Sequence, residues 1–473
     1  MQQSIRLLLI ALALGAGPTT LLAQEARGRD SLTERYRSTA GQILGAALVD
    51  TAGYEKLVHL TTEIGHRLSG SRGLERAIEW SLEAMRAEGL SARAQPVMVP
   101  HWVRGRESAE VVGPGQRALA MLGLGGSVGT GPEGILAPVV VVRDFDGLAA
   151  LGRAGVEGKI VVFAVEWQGY GRTVAYRSRG ASRAAELGAL AVLVRSATGS
   201  SLYTPHTGAL RYADGVDRIP AAAITVEDAL WMRNYSERGG ELTVRLRMEA
   251  ETLPDAPSAN VIAEIRGREL PEEVVVMGGH FDSWDVGHGA HDDGAPCMAA
   301  WHALTILHQL GLQPRRTLRV VLWTNEENGG AGGRAYRESL GDDVSKHVAA
   351  IEMDGGMERP VGFGFTLPGA SADGSDADSE RAMQLLREIS ALFDAIDASE
   401  IRAGGHGADI TPLMNEGVPG LALHTIGEHY FDWHHTNADT LDMVDLQDFR
   451  KAVALLGVMG YVLADMPETL APR

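Results

Sequence analysis

The stretch of sequence that decides the fold is residues 274–294, VVVMGGHFDSWDVGHGAHDDG. It opens with an uninterrupted apolar run of strand length, which ends at a glycine pair and His280. A helical pattern follows, with apolar residues at Met298, Trp301 and Leu304. An apolar strand that passes through a polar turn into such a helix is typical of an α/β fold.

The same transition from an apolar run to polar residues recurs twice downstream. Residues 318–323, LRVVLW, lead into TNEE, and residues 348–351, VAAI, lead into EMDG. This alternation predicts a mostly parallel, mixed sheet flanked by helices. Because sites in such sheets form at the carboxyl ends of the strands, we expect the polar residues after these runs to share one site.

The block from residue 109 to residue 250 has a different character. It contains strand-like runs at 139–142, 160–163 and 191–194 but few histidines or paired carboxylates. We interpret it as a separate domain inserted into another. For a chain of 473 residues, the predicted division is a signal peptide at 1–23, an N-terminal part of the main domain at 24–108, the insertion at 109–250 and the main part at 251–473.

The N-terminus is typical of a secretory signal peptide. Arg6 precedes the apolar run LLLIALAL, and small residues precede Gln24. The alternative is a membrane anchor, which is disfavoured because the run is too short to span a bilayer. We therefore expect a secreted or periplasmic protein that is free of the membrane once the signal is removed.

Composition narrows the function classes further. The formal net charge of −18, without a long Lys/Arg run, argues against nucleic-acid binding. Cys297 is the single cysteine, so no internal disulfide forms. It lies in an apolar stretch, which favours a buried structural thiol over a nucleophile.

Potential metal ligands are concentrated in the last part of the chain, since eleven of the fifteen histidines follow residue 279. Each motif alone has an ordinary explanation, such as a polar strand end, an Asp-Asp-Gly turn or a Glu pair at a helix start. Together they supply imidazole and carboxylate ligands, a mixture that suits zinc. A pair of metal ions requires a bridging carboxylate, and one more carboxylate must stay free as a base.

The motifs are GHFDSWD at 279–285, GAHDDG at 289–294, NEE at 325–327, Asp354 and His435. They resemble those of a known family, the co-catalytic zinc peptidases that include bacterial leucyl aminopeptidase, glutamate carboxypeptidase II and the carboxypeptidase Q subgroup. The short spacing between His280 and Asp292 favours the carboxypeptidase Q subgroup, as do the sequences GHGADI and GVPG. The resemblance extends from about residue 50 to the C-terminus, and the inserted block resembles a protease-associated domain.

The resemblance implies a zinc exopeptidase fold and a ligand set for two zinc ions. His280 and Asp354 would bind one ion, and Glu327 and His435 would bind the other. Asp292 would bridge the two. His434 competes with His435 for the ligand role, but the pattern His-Thr-x-x-Asp-Thr favours His435.

Other roles around the ligands are also implied by the resemblance. Glu326 would be the general base, and Asp282 would orient His280 through the ring nitrogen that is not on the metal. Asp293 would support the bridging residue, and the peptide bond before it is cis in many relatives.

Three further residues have two possible roles each, and a fourth has one. Asp285, His406 and Asp409 would contact the substrate or else only hold their loops. Arg402 would meet a substrate carboxylate, although its neighbours do not establish this.

The preferred functional interpretation is hydrolysis of dipeptides or short peptides with free termini. An aminopeptidase of the same fold is the alternative. A cyclotransferase acting at one zinc ion, as in glutaminyl cyclases, fits less well. So does a catalytically dead binding protein, because that reading predicts lost ligands. The resemblance further implies a homodimer.

Overall fold

The structure, a computed structural model, describes residues 31–369 and 376–472. The predicted signal peptide lies outside the described residues. Among the described residues, none of the helices has the length and apolar character that a membrane crossing requires.

The described residues form two sheets with helices on their faces. The strands are β1 Ser91–Val103, β2 Glu107–Val112, β3 Arg117–Leu119, β4 Met121–Gly123, β5 Ile135–Val142, β6 Ile160–Phe163, β7 Ala191–Arg195, β8 Ala221–Ile224, β9 Thr243–Met248, β10 Glu251–Ile265, β11 Leu270–His280, β12 Arg316–Trp323, β13 His347–Glu352, β14 Pro360–Thr366, β15 Glu400–Ala403 and β16 Gly420–Thr425. The α-helices are α1 Leu32–Ala47, α2 Ala52–His59, α3 Arg72–Ala87, α4 Phe145–Val156, α5 Tyr170–Ala185, α6 Val226–Glu237, α7 Ala295–Gln309, α8 Ala331–Leu340, α9 Ala377–Ser390, α10 Thr411–Met414, α11 Tyr430–Trp433 and α12 Leu446–Asp465.

The main sheet has eight strands in the order β1-β10-β12-β11-β13-β16-β14-β15. Its four central strands, β12, β11, β13 and β16, are parallel, whereas β1, β10 and β14 run antiparallel to a neighbour. This confirms the predicted mostly parallel, mixed sheet flanked by helices.

The apolar run that opens β11 explains why this strand lies at the centre of the sheet. Val275 and Met277 pack into a core shared with α1, α7 and α12, while Val274 and Val276 pack into a second core on the opposite face. Because successive side chains of a strand point to opposite faces, a strand covered on both sides must be apolar throughout.

The second sheet is built from residues 107–248, in the order β3-β2-β9-β5-β6-β7-β8-β4. Strands β5 to β8 are parallel, and α5 packs against β6 and β7. The chain enters and leaves this sheet along paired strands, since Val103 of β1 lies opposite Glu251 of β10. A small apolar cluster that includes Trp102 and Trp284 packs between the two sheets.

The loop between β11 and α7 is held by a buried arginine that the sequence gave no reason to single out. Arg67 is fully buried, and its guanidinium donates to the carbonyl oxygens of Phe281 (Nε, 2.9 Å), His288 (2.8 Å) and Gly289 (2.8 Å). The same loop carries the backbone from His280 towards Asp292. One side chain therefore satisfies several buried carbonyl groups that have no place in a helix or strand.

We predict that Arg67→Met lowers the free energy of unfolding by about 3 kcal/mol, because it leaves several buried carbonyl groups without donors. The measurement is urea denaturation followed by circular dichroism. The control is Arg37→Met, at an exposed arginine whose ion pair with Glu34 is worth at most about 0.5 kcal/mol. Equal effects in the two variants would show that Arg67 does not hold the loop.

Candidate metal centre

The register of the main sheet brings three strand ends side by side. His280, the last residue of β11, pairs with Trp323 at the end of β12. Gly278 pairs with Glu352 at the end of β13. Glu326 and Asp354 follow these two strands within three residues. The polar residues that follow the strands therefore meet at one edge, as the alternation of the sequence predicted.

The first group of potential ligands surrounds the His280 ring. Its Nε2 lies 3.1 Å from Asp292 Oδ1 and 3.7 Å from Asp354 Oδ1. Both His280 and Asp292 are buried. One imidazole nitrogen and two carboxylate oxygens lie close enough together to bind a single ion. This donor set fits a divalent metal.

The second group lies on the other side of Asp292. His435 Nε2 is 3.3 Å from Asp292 Oδ2 and 3.0 Å from Glu327 Oε2. His434 stacks on His435 with ring centroids 3.5 Å apart, and its Nε2 is 3.7 Å from the same Asp292 oxygen. Each oxygen of Asp292 thus faces a different imidazole, which is the arrangement that a bridging carboxylate requires.

Two of the carboxylates in these groups have an oxygen whose lone pairs are free to bind a metal. Among the described residues, the buried atoms Asp292 Oδ2 and Glu327 Oε1 have no hydrogen-bond partner. A buried carboxylate oxygen without a partner is costly unless a cation neutralises it. The residues present therefore fit a divalent metal ion.

The protonation of these groups is set by burial and by their mutual contacts. Burial works against the charged form of Asp292, but the nearby imidazoles of His280 and His435 hold its pKa well below the usual range. Burial and the charge of Asp292 raise the pKa of Glu327 to about 7. Burial, together with the charges of Asp354 and Glu327, holds the pKa of Glu326 well above its usual range. Glu326 also lines the cavity in front of the cluster.

The His280 ring is held by Asp282 through its backbone carbonyl rather than through its carboxylate. His280 Nδ1 lies 3.0 Å from the backbone carbonyl oxygen of Asp282, whereas the Asp282 carboxylate is 4.0 Å away. That carboxylate instead accepts hydrogen bonds from the backbone N–H groups of Glu326 (3.0 Å) and Glu327 (3.3 Å). Asp282 therefore positions both a ligand and the Glu pair.

Asp293 supports the site from the backbone side. The Asp292–Asp293 peptide bond is cis. The Asp293 carboxylate accepts a hydrogen bond from the His280 N–H at 3.0 Å. A Cβ atom on Gly279 would lie 2.1 Å from this carboxylate, which explains the glycine before His280.

The second sheet contributes directly to the cluster, a contribution that the sequence did not predict. His435 Nδ1 lies 3.3 Å from the carbonyl oxygen of Thr207, and the Thr207 N–H donates to the His435 carbonyl at 3.0 Å. His206 Nδ1 also lies 2.8 Å from the His434 carbonyl oxygen. Nδ1 of His435 thus faces the Thr207 carbonyl and, also at 3.3 Å, the guanidinium of Arg177, whereas Nε2 faces Asp292 and Glu327 and is the nitrogen placed to bind a metal.

Asp439 fixes the backbone on which the bridging residue lies. Its carboxylate accepts hydrogen bonds from the N–H groups of Ala290 (2.9 Å), His291 (2.7 Å) and Asp292 (3.2 Å). Asp439 therefore has a structural role in the loop that carries Asp292. Burial and the charge of Asp292 raise the pKa of Asp439 to about 7.

The four residues considered for substrate contact do not come together at one site. Asp285 forms a two-point ion pair with Arg104, at 2.5 and 2.8 Å, which occupies its carboxylate. His406 is exposed and does not line the cavity in front of the cluster. Asp409 is buried beside Glu352, whose carboxylate accepts the Asp409 N–H at 3.3 Å. Arg402 is exposed and lines a separate surface depression instead.

A cavity of about 620 Å³ opens onto the cluster. The loop after β12 lies on one side of the cavity. Helix α5 and the loop between β7 and β8, which belong to the second sheet's region of the chain, lie on the other. Its lining residues are Tyr170, Arg177, Ala209, Leu210, Arg211, Asp292, Glu326, Glu327, Asn328, Gly329, Arg334, Asp354, Tyr430, Phe431, His434 and His435.

Known proteins with similar sequences place the chain in a family. A model of peptidase family M28 matches residues 260–458. Carboxypeptidase Q from Bos taurus is 42% identical over 463 residues, which cover 97% of this chain and 95% of that protein. Carboxypeptidase Q from Homo sapiens is 43% identical over 422 residues, which cover 89% and 86%. The chain belongs to peptidase family M28.

Solved structures agree with this assignment to family M28. The crystal structure of a peptidase M28 precursor from Shewanella amazonensis has a TM-score of 0.87 at 31% identity, covering 93% of this chain and 99% of that one. A zinc aminopeptidase from Bacillus subtilis, with a TM-score of 0.65 at 17% identity, shares the fold. Family membership and the His–carboxylate cluster together make the chain a metallo-exopeptidase, which confirms the predicted enzyme class.

We predict that Asp439→Asn weakens metal binding about ten- to a hundredfold, because a neutral amide holds the three N–H groups of the Asp292 loop less well. The measurement is the metal content that remains after dialysis against graded chelator concentrations. The matched control is Asp442→Asn, at a residue three positions further whose carboxylate accepts only from Thr440 in the described part of the chain. Unchanged metal retention in Asp439→Asn would contradict the assigned role.

Proposed function

We propose that this M28 peptidase is a two-zinc exopeptidase that hydrolyses dipeptides or short peptides. The observation that carries the proposal is the position of Asp292, whose two carboxylate oxygens face His280 on one side and His435 on the other. His280 and Asp354 would hold one ion, Glu327 and His435 the second, and Asp292 would bridge them. When bound, the two ions would acidify a shared water molecule and polarise the peptide carbonyl.

Glu326 would act as the general base. It lies next to the ligand Glu327, lines the cavity and makes no ion pair within the described ranges. Its backbone is held by the Asp282 carboxylate, so its own carboxylate is free to face the cavity. Glu326 would take the proton of the attacking water and later pass it to the leaving amine.

The substrate class follows from the cavity and from the relatives. A volume of about 620 Å³ suits a small molecule rather than a folded protein. The carboxypeptidase Q proteins that match most of this chain are named as carboxypeptidases. These observations support a dipeptidase or carboxypeptidase over the aminopeptidase alternative.

Four further parts of the proposal rest on the sequence. The signal peptide predicted for residues 1–23 supports a secreted or periplasmic location, with no membrane or nucleic-acid partner. The boundaries 109–250 and the protease-associated character of the inserted block remain proposals, as does the homodimer. The retention of all ligand positions and of Glu326 argues against a dead binding scaffold.

We predict that Glu326→Gln lowers kcat by about 10²- to 10⁴-fold while the metal content stays unchanged, because only the proton acceptor is lost. Glu327→Gln should instead lose one metal ion. Dipeptide hydrolysis and elemental analysis on the same samples measure the two effects. The control is Glu338→Gln, an exposed glutamate on α8. Normal rates in Glu326→Gln would remove this residue from the base role.

We predict that the purified chain carries two zinc ions and loses activity on exhaustive chelation. Activity should return as zinc is added back, with saturation at two ions per chain. A titration that saturates at one ion, with full activity, would contradict the two-metal proposal and revive the cyclotransferase reading. Elemental analysis alongside hydrolysis of a dipeptide panel makes this distinction.

A further inference from the structure

The two histidines that flank Asp292 are held from different directions. The His280 ring faces the carbonyl oxygen of Asp282, in its own loop. Nδ1 of His435 instead lies 3.3 Å from the Thr207 carbonyl oxygen, and Arg177 donates to that carbonyl at 3.1 Å. Thr207 and Arg177 both belong to the second sheet's region of the chain, so the geometry of His435 depends on where that region lies.

The side chain of Thr207 is fixed by a carbonyl group and an arginine. Its hydroxyl donates to the carbonyl oxygen of Gly123 at 2.7 Å. The Arg104 guanidinium donates to the same carbonyl through Nη1 and to the Thr207 hydroxyl, at 3.4 Å, through Nη2. Both Thr207 and Arg104 are buried. A displacement of Arg104 would therefore also displace Thr207.

Arg104 is fixed in turn by a carboxylate from the main sheet's region. Its Nε lies 2.8 Å from Oδ2 of Asp285, and its Nη2 lies 2.5 Å from Oδ1. Arg104 stands between β1 and β2, where the chain enters the second sheet, whereas Asp285 lies in the loop that leads from His280 to Asp292. Because the contact has two points, it fixes both the distance and the angle between the two parts of the chain.

The burial of this ion pair indicates a role in geometry rather than in stability. The side chains of Arg104 and Asp285 are 10% and 17% exposed. Taking two charges out of water costs about as much free energy as their attraction returns, so such a pair adds little net stability. Glu107 lies 3.6 Å from Nη1 of Arg104 and accepts the Gly123 N–H at 3.0 Å, so the arginine is compensated from both parts of the chain.

Trp284, next to Asp285, connects the same loop to His435 by packing. Its ring meets the His435 ring at a steep angle, with centroids 5.6 Å apart. A Cβ atom on Gly125, in the second sheet's region, would lie 1.9 Å from the Trp284 ring, so only a glycine allows this close approach. A shift of the Asp285 loop would therefore reach the His435 ring directly as well.

We propose that the Arg104–Asp285 ion pair sets the affinity of one of the two metal sites, because it positions Thr207. Thr207 in turn holds His435, which binds the second ion together with Glu327 in the proposed function. Arg104 and Asp285 are thus positioning residues that touch neither the metal nor the substrate. The inference rests on the proposed two-zinc function, and it gives Asp285 a role in metal binding in place of a substrate contact.

The test measures zinc affinity separately at each site, in the full chain after its metal has been removed. In the Glu327→Gln background, only the site of His280 and Asp354 keeps all its ligands. In the Asp354→Asn background, only the site of Glu327 and His435 does. Arg104→Met is introduced into each background, and zinc binding is measured by competition with a chelator of known affinity.

We expect Arg104→Met to raise the Kd for zinc about tenfold in the Asp354→Asn background, as the loss of support behind a metal-binding histidine implies. In the Glu327→Gln background the Kd should change by about twofold or less. Equal weakening at both sites would overturn the proposal, since a general loosening of the fold does not distinguish them.

Two further variants test the route through Thr207 in the Asp354→Asn background. Asp285→Asn removes the charge that fixes Arg104, and Thr207→Val removes the hydroxyl that Arg104 contacts but keeps the carbonyl that faces His435. Each should weaken zinc binding. Arg104→Met combined with Thr207→Val should weaken it by less than the product of the single effects, because both act through one contact. Fully multiplicative effects would overturn this route.

The matched control is Arg316→Met. Arg316 is also buried, pairs with Glu273 at 2.5 Å and donates to the Met466 carbonyl. It is the first residue of β12, at the strand end opposite the metal centre. Its replacement should lower the urea midpoint of unfolding and leave the zinc affinity of both sites unchanged. A selective loss at the His435 site in this control would overturn the proposal.

Activity at buffered zinc concentrations separates metal positioning from substrate contact. In the otherwise unchanged chain, Asp285→Asn should raise the zinc concentration for half-maximal dipeptide hydrolysis about tenfold. At saturating zinc, kcat and KM should stay within about twofold of their normal values. A raised KM that excess zinc does not correct would overturn the proposal, because Asp285 would then act on the substrate.

The outcomes also distinguish this inference from the proposed function. A wild-type chain that binds two zinc ions, with affinities that do not depend on Arg104, would overturn only the role of the ion pair. A wild-type chain that is fully active with one bound ion would overturn the two-zinc function and this inference with it.

Discussion

The arrangement on which the rest of this structure depends is the Asp292 carboxylate held between two imidazoles. Its oxygens lie 3.1 Å from His280 Nε2 and 3.3 Å from His435 Nε2, in a buried setting. Glu327 and Asp354 approach the same rings from either side. So many carboxylates at close range repel one another, and burial increases the cost. Positive ions on both sides of Asp292 would remove that penalty, which is why the cluster fits metals better than a network of ion pairs.

The surrounding structure holds this carboxylate through backbone groups. Arg67 donates to carbonyl oxygens of the loop that leads from His280, and Asp439 accepts from the N–H groups that lead into Asp292. Asp282 uses its carbonyl for the His280 ring and its carboxylate for the Glu326 and Glu327 N–H groups. Loops that have no helix or strand hydrogen bonds thereby acquire a defined shape, which a metal centre needs if its ligands are to be arranged before the metal binds.

The second sheet is part of the site rather than an appendage. The Thr207 carbonyl and the Arg177 guanidinium both lie 3.3 Å from Nδ1 of His435, and Arg177 also donates to that carbonyl. Tyr170 stacks on Phe431, next to the two histidines. A movement of the second sheet would therefore change both the cavity and one potential metal ligand. The cavity is accordingly bordered by residues from the regions of both sheets.

Some of this arrangement was contained in the sequence. The apolar runs of β11, β12 and β13, interrupted in β12 by Arg319, predicted buried parallel strands, because a strand covered on both faces is mostly apolar. Their carboxyl ends had to meet, so His280, Glu326 and Asp354 could be placed together from local pattern alone. His435 and Asp292 came from family resemblance, since no periodicity relates residues so far apart in the chain.

Other features were decided only by the tertiary structure. The roles of Thr207 and Asp282 rest on backbone carbonyls, which every residue possesses and which no sequence pattern distinguishes. Arg67 and Asp439 act across the fold on segments remote in sequence, so their partners appear only when the chain is folded. The exposed position of His406 and the ion pair of Asp285 have the same cause. Local sequence determines which strands form and where they end, whereas the contacts between their loops depend on how the two sheets pack.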